Sequence, residues 1–91
     1  MIKRSRLFGH KTRVTFTLPA DQPVGDVSVV GTFNDWVPGH HRLTERRNGT
    51  RTVSVTLTPG EHRFRYLASG GVWLDDDTAD RVDADASVLR I

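Results

Sequence analysis

Apolar residues recur at every second position along most of this chain. Nowhere do they take the three-and-four spacing, with a cap in front, that marks an amphipathic helix. Val14, Phe16 and Leu18 share one face of an extended segment that Pro19-Ala20-Asp21-Gln22-Pro23 breaks. Val27-Ser28-Val29-Val30 is a second strand, ending at Gly31. The polar, turn-rich stretch Thr32–His41 follows, and a short strand is expected around Leu43. Asn48-Gly49 is the strongest hairpin turn, because both residues tolerate positive φ. Beyond it Val53, Val55 and Leu57 alternate inward. Pro59-Gly60 turns into a strand where His62, Phe64 and Tyr66 alternate with Arg63, Arg65 and Leu67. Ser69-Gly70-Gly71 turns into Val72-Trp73-Leu74, residues 75–85 form a loop, and Ser87–Ile91 is a last strand. The pattern predicts an all-β chain: an immunoglobulin-like β-sandwich of about seven antiparallel strands, with turn signals roughly every 8–12 residues.

The length of 91 residues fits one domain. With no cysteine there is no disulfide to supplement a small core, and no thiolate ligand or nucleophile. The N-terminal residues contain neither a hydrophobic leader nor a membrane span, so the expectation is a soluble cytoplasmic protein. Thirteen Lys and Arg against eleven Asp and Glu leave a formal charge of +2, but the charge is segregated. Residues 1–13 carry Lys3, Arg4, Arg6, Lys11 and Arg13 with no acid, whereas residues 75–85 carry six aspartates and one arginine. Residues 1–10 therefore read as a basic, partly mobile arm that the fold can lose, ahead of a single domain at 11–91. Only Phe8 interrupts the basic residues with an aromatic, so a nucleic-acid partner is not expected.

Two residues are out of keeping with a plain sandwich. Trp36 lies in the polar loop, and Trp73 follows a Gly-Gly turn. Taken alone, each reads first as a packing residue, Trp36 as a cap on the sandwich and Trp73 as core. Taken together with the arginine-bearing strand between them, they suggest another role. Indole rings stack on the C–H faces of sugars, and a guanidinium offers donors in a fixed fork to the surrounding hydroxyls. Arg63 and Arg65 point outward if Phe64 and Tyr66 point in, and Asn34 and Asp35 neighbour Trp36. Such a set suits a neutral polyol better than a phosphate.

Gly31-Thr32-Phe33-Asn34-Asp35-Trp36, then Pro59-Gly60-Glu61-His62-Arg63-Phe64-Arg65-Tyr66, then Gly71-Val72-Trp73 resemble carbohydrate-binding module family 48 in order and spacing. That family includes the glycogen-binding domain of AMP-activated protein kinase and the early set domains of isoamylases. The resemblance covers about Lys11 to Ile91. It implies non-catalytic binding of an α-glucan such as glycogen, a maltooligosaccharide or a cyclodextrin. Trp36 and Trp73 match the stacking residues, Arg65 the hydroxyl donor, and Val82 a leucine that enters the ring of a cyclic sugar; Asn34 and Arg63 would assist. The chain departs from the family at Ala86 or Ser87, where an asparagine is common, and in the extra residue of the Ser69–Gly71 turn. The alternative is a structural or regulatory interaction domain that docks on a glucan-metabolising enzyme or another protein.

Other chemistries are not supported. The acidic run lacks the glycine and terminal glutamate of a calcium loop. His40 and His41 are adjacent, so a strand points them to opposite faces, and with His10 and His62 they make no zinc spacing. No acid lies in an apolar run, and a small sandwich has little room for the paired carboxylates of a glycosidase. Catalytic residues, metal ligands and cofactors are therefore not expected.

Overall fold

The computed structural model describes residues 1–91. Ten strands form two antiparallel sheets: β1 Ile2–Arg6, β2 Thr12–Pro19, β3 Val27–Gly31, β4 His41–Arg42, β5 Thr44–Glu45, β6 Thr50–Leu57, β7 Glu61–Ala68, β8 Val72–Leu74, β9 Arg81–Val82 and β10 Ser87–Arg90. The first sheet runs β1-β2-β6-β5, and the second runs β4-β3-β7-β10-β9 with β8 also paired to β7. The only helical pieces are two single turns of 3₁₀ helix, Phe8–His10 and Thr32–Asn34.

The strand alternation read from the sequence fixes which face is inward. Val14 and Phe16 of β2 and Val55 and Leu57 of β6 meet Val27 and Val29 of β3, Phe64, Tyr66 and Ala68 of β7, and Leu89 of β10 in one core. Phe16 lies across the two sheets, with its ring 4.9 Å from Phe64 and 6.2 Å from Tyr66, both edge to face. A fully buried phenylalanine in such a position contributes about 3–5 kcal/mol against alanine. Gly31 ends β3 pressed against β7, where a Cβ would collide with the Arg63 carbonyl oxygen and with Phe33 and Phe64. Only glycine allows that close approach.

The N-terminal residues behave differently from the dispensable arm expected of them. Ile2–Arg6 pairs along its length with Thr12–Phe16 of β2, and Ile2 packs on the core. The strand was missed because Lys3, Arg4, Ser5 and Arg6 bear no apolar alternation, and its position at the rim of the sheet requires none. Its charges also meet the acidic run: Arg4 pairs with Asp80 at 2.7 Å, and the α-amino group of Met1 lies 3.1 Å from Asp76. A second short strand, β9, emerges from the stretch that patterning left as loop.

Asp76 is the buried member of that run. Its carboxylate accepts hydrogen bonds from the Tyr66 hydroxyl at 2.6 Å, from the Thr78 amide and hydroxyl, and from the Met1 amino group. Burial alone would raise its pKa, but these donors outweigh burial and hold the carboxyl below its ordinary value. Burial first, and the hydrogen bond to Asp76 second, push the Tyr66 phenol far up.

Two outcomes follow. Removing Met1–Arg6 deletes β1, uncovers part of the core and strips a partner from Asp76; a loss of about 1–2 kcal/mol lowers the melting temperature by roughly 5–15 °C, measurable by calorimetry. An unchanged melting temperature would mean that β1 adds nothing to the sandwich. For Asp76, a folded pKa below the unfolded value means that its contribution is complete above about pH 4 and is lost as pH falls through the folded pKa. Asp76→Asn should therefore lower stability at pH 7 and flatten the loss of stability below pH 4, read from melting temperature against pH.

Candidate functional site

β7 organises the site because its two faces differ. Phe64, Tyr66 and Ala68 enter the core, so Arg63, Arg65 and Leu67 stand on the outer face of the second sheet. On one side β3 pairs Val30 with Arg65 and Ser28 with Leu67. On the other side β8 pairs Trp73 with Leu67, so Trp73 shares the outer face with Arg65, one diagonal step away. Trp73 is 45% exposed beside the exposed Val72, and is no part of the core. Gly70 and Gly71, with φ of 84° and 77°, make the turn that returns β8 onto β7.

Arg65 is held rather than free. Its guanidinium donates through Nε to one oxygen of Asp75 at 3.2 Å and through Nη2 to the other at 3.1 Å. The Asp75 hydrogen bonds raise the Arg65 pKa; reciprocally, the Arg65 bond first and Ser87 second hold the Asp75 carboxyl below its usual range despite partial burial. Ser87 Oγ donates to Asp75 at 3.0 Å, which fixes the carboxylate from behind. A bidentate pair of this geometry orients the arginine plane and leaves its outer edge for a ligand. Asp75 was not singled out from the sequence, yet its place was readable: a hairpin pairing Ala68 with Val72 and Leu67 with Trp73 brings Arg65 opposite Asp75.

Trp36 is 39% exposed and lies in an unusual backbone. Asp35 and Trp36 both take the left-handed conformation, with φ of 54° and 58°. For a bulky side chain this costs about 1–3 kcal/mol and persists only where the surroundings enforce it. Here the enforcement is visible. The Trp36 amide donates to the Gly31 carbonyl at 2.9 Å, and the Val37 amide to the Asn34 carbonyl at 3.1 Å. The Asn34 side chain closes the turn: its Oδ1 accepts from the Gly31 amide at 2.9 Å, and its Nδ2 donates to the Val29 carbonyl at 3.0 Å and to His41 Nδ1 at 2.9 Å.

That network corrects the role expected of Asn34. The side chain is buried, at 7% exposure, and both its N–H groups are used internally, so it has no donor for a sugar. It acts by holding the turn that presents Trp36. Arg63 is on the outer face but belongs to a cluster of charges, pairing with Asp83 at 3.0 Å and Glu61 at 3.8 Å, while Arg81 pairs with the same two acids. Val82 is exposed, but its register through Ser87 to Phe64 turns it to the opposite side of the sheet from Arg63, Arg65 and Trp73. It therefore does not join them, and no sequence pattern around β9 showed which way it would face.

Topology sets the spacing of the tryptophans. Trp36 is tied to Gly31, which pairs with Phe64 on one side of β7, and Trp73 pairs with Leu67 on the other side. Their backbone anchors therefore flank β7, about 10 Å apart across the strands and about 10 Å along them, with Arg65 between in register. Val30 and Val88 are buried although they face away from the core beside Arg65 and Arg63. Arginine stems cover apolar surface in this way, and the result is a firm floor.

The remaining surface offers little else. Two shallow hollows are lined by Glu61, Asp80, Arg81, Val88 and Arg90, and by Asp26, Arg42, Leu43, Thr44 and Glu45; neither contains a tryptophan. No three His, Asp or Glu side chains converge as metal ligands. The acidic run is divided among separate partners instead of gathered: Asp75 with Arg65, Asp76 with Tyr66, Asp80 with Arg4, and Asp83 with Arg81. No helix is long and apolar enough to cross a membrane.

The profile of the family described as the glycogen recognition site of AMP-activated protein kinase matches residues 12–90, from the start of β2 to the end of β10. Among curated proteins none matches the chain. The match spans nearly the whole sandwich, including the Trp36 turn and the β7–β8 hairpin, and the chain belongs to this family of glycogen-recognition carbohydrate-binding modules.

Proposed function

We propose that the domain binds the chains of an α-glucan of the glycogen and starch type on the outer face of its second sheet, and that it does so without catalysis. Trp36 and Trp73 stack on sugar faces, and Arg65, oriented by Asp75, donates to hydroxyls between them. Arg63 assists from the neighbouring position on β7. The observation that carries this reading is the pair of half-exposed indoles, one of them maintained in a strained backbone that a purely structural turn has no need of. Family membership gives the ligand class. Maltooligosaccharides and cyclodextrins present the same surface and serve as probes.

A binding role also suits the charges. The site's one cation next to Trp73 is neutralised by Asp75, which suits a neutral polyol better than a phosphate. Asp80 and Glu61, which line one shallow hollow, are ion-paired with arginines, and Asp83 beside them is paired with Arg63 and Arg81. Docking on a glucan-metabolising enzyme through this same face is the reading that replaces it if glucan does not bind.

Trp36→Ala and Trp73→Ala should each weaken binding of maltoheptaose or β-cyclodextrin by about an order of magnitude, the equivalent of roughly 1–2 kcal/mol per stacked ring. Titration calorimetry reads the affinity, and circular dichroism should show both variants folded. Wild-type affinity in both variants, or no binding by the wild type at millimolar sugar, would end the stacking proposal. Arg65→Ala should cost less, about 0.5–1.5 kcal/mol for a hydrogen bond to a neutral hydroxyl. It also frees Asp75, whose carboxyl then titrates at higher pH, observable by NMR. Incubation with glycogen should release no reducing sugar.

A further inference from the structure

We propose that His41 is a positioning residue for the Trp36 turn, and that its neutral form, accepting a hydrogen bond through Nδ1, is the binding-competent state. This rests on the stacking role of Trp36 proposed above. The chain of contacts is short. Asn34 holds the turn, and the identity of each of its side-chain atoms is fixed by the backbone: the atom facing the Gly31 N–H must be oxygen, and the one facing the Val29 carbonyl must be nitrogen. The Asn34 Nδ2 that reaches His41 Nδ1 at 2.9 Å is therefore a donor, and Nδ1 can only accept. Neutral His41 must carry its proton on Nε2.

Protonation of His41 places an N–H on Nδ1 against the Asn34 N–H₂. Two donors then face each other in a partly buried space, and the hydrogen bond is lost. The ring cannot easily turn away. It lies edge-on to Phe33 at 5.9 Å and beside His40 at 4.7 Å, and β4 pairs it with Val29. Its charged and titratable surroundings are few. His40 precedes it on the same loop. Arg42 follows it, turned to the opposite face and paired with Asp26. The turn at Thr32–Asn34 and strand β3 bring no charge against it. On β6, which packs on β4, the buried charge is Arg51, occupied by the Gly25 and Pro23 carbonyls. Burial first, and the His40 charge second, lower the His41 pKa below 6.5, in keeping with a ring that folding holds neutral.

The sign is then defined. A histidine whose folded pKa lies below its unfolded value contributes fully above pH 6.5, and its contribution is lost as pH falls through 6.5 toward the folded pKa. Trp36 should loosen as pH falls through the folded pKa of His41, which lies below 6.5. The other three histidines, His40, His10 and His62, serve as substitution controls.

The test separates this inference from glucan binding itself. In a Trp73→Phe background Trp36 is the sole indole, and its fluorescence between pH 8 and pH 4.5 should show a transition below pH 6.5. His41→Asn, which keeps an acceptor oxygen near the position of Nδ1 but cannot titrate, should abolish the transition and retain the neutral-pH spectrum. His40→Gln should keep the transition and move it upward. His41→Leu should give the low-pH Trp36 spectrum at every pH. NMR should find His41 as the Nε2–H tautomer at pH 7.5. In the protein with both tryptophans, affinity for β-cyclodextrin should fall about three- to tenfold below the transition, the worth of one hydrogen bond, and should not fall in His41→Asn. A Trp36 signal indifferent to pH, or an Nδ1–H tautomer at neutral pH, overturns the role of His41. Absence of cyclodextrin binding at pH 7.5 overturns the glucan reading instead, while the fluorescence and the tautomer still decide the positioning role.

Discussion

The alternation along β7 is the constraint on which this domain depends. Three of the second sheet's strands, β3, β8 and β10, bond directly to it, so its register determines theirs. Because Phe64 and Tyr66 are committed to the core through Phe16, a slip of one residue would expose both rings and bury Arg63 and Arg65. The energy that packs the interior therefore also aims the arginines outward. The meeting of β8 and β10 along one edge of β7 then brings Asp75, Asp76 and Ser87 together. There they orient Arg65 on one side and satisfy Tyr66 on the other.

The two tryptophans reach the surface by different means. Trp73 rides on a regular hairpin and needs only its strand register. Trp36 is held by a turn whose backbone would relax if its hydrogen bonds were removed, and nearly all of those bonds converge on Gly31 and Asn34. The strain at Trp36 is offset by the cap that Asn34 builds beneath it, so its cost is met on folding.

Much of the fold was legible in the sequence because the core strands carry their own alternation and the turns carry glycine, proline or asparagine at the points where the chain reverses. The strands that were missed, β1 and β9, lie at sheet rims, where one face needs no apolar residue. For the site, the outward Arg65 could be anticipated from the phase of β7, whereas the exposure of Trp36 and Trp73 was suggested only by taking the two together with that strand. Asn34 could not: a polar residue beside a tryptophan in a polar loop looks available to a ligand, and only the three-dimensional closure of the turn reveals that its amide is used up. Val82 lay in a segment without alternation, so nothing fixed its phase until the pairing with Ser87 was known. Asp75 was passed over for a different reason: the hairpin register places it opposite Arg65, but it opens an acidic stretch whose members look alike in sequence and are told apart only by the fold.

A module that gathers on a branched polymer brings many copies of itself into close quarters, and any unpaired sheet rim then becomes a template for edge-to-edge aggregation. The first sheet ends at β1, which offers Lys3, Arg4 and Arg6 along five residues. Two such strands approaching one another would set like charges opposite like, at the distance where pairing would have to begin. The basic residues of β1 thus set a charge barrier along the one long rim of the first sheet, against pairing with a second copy of the same strand.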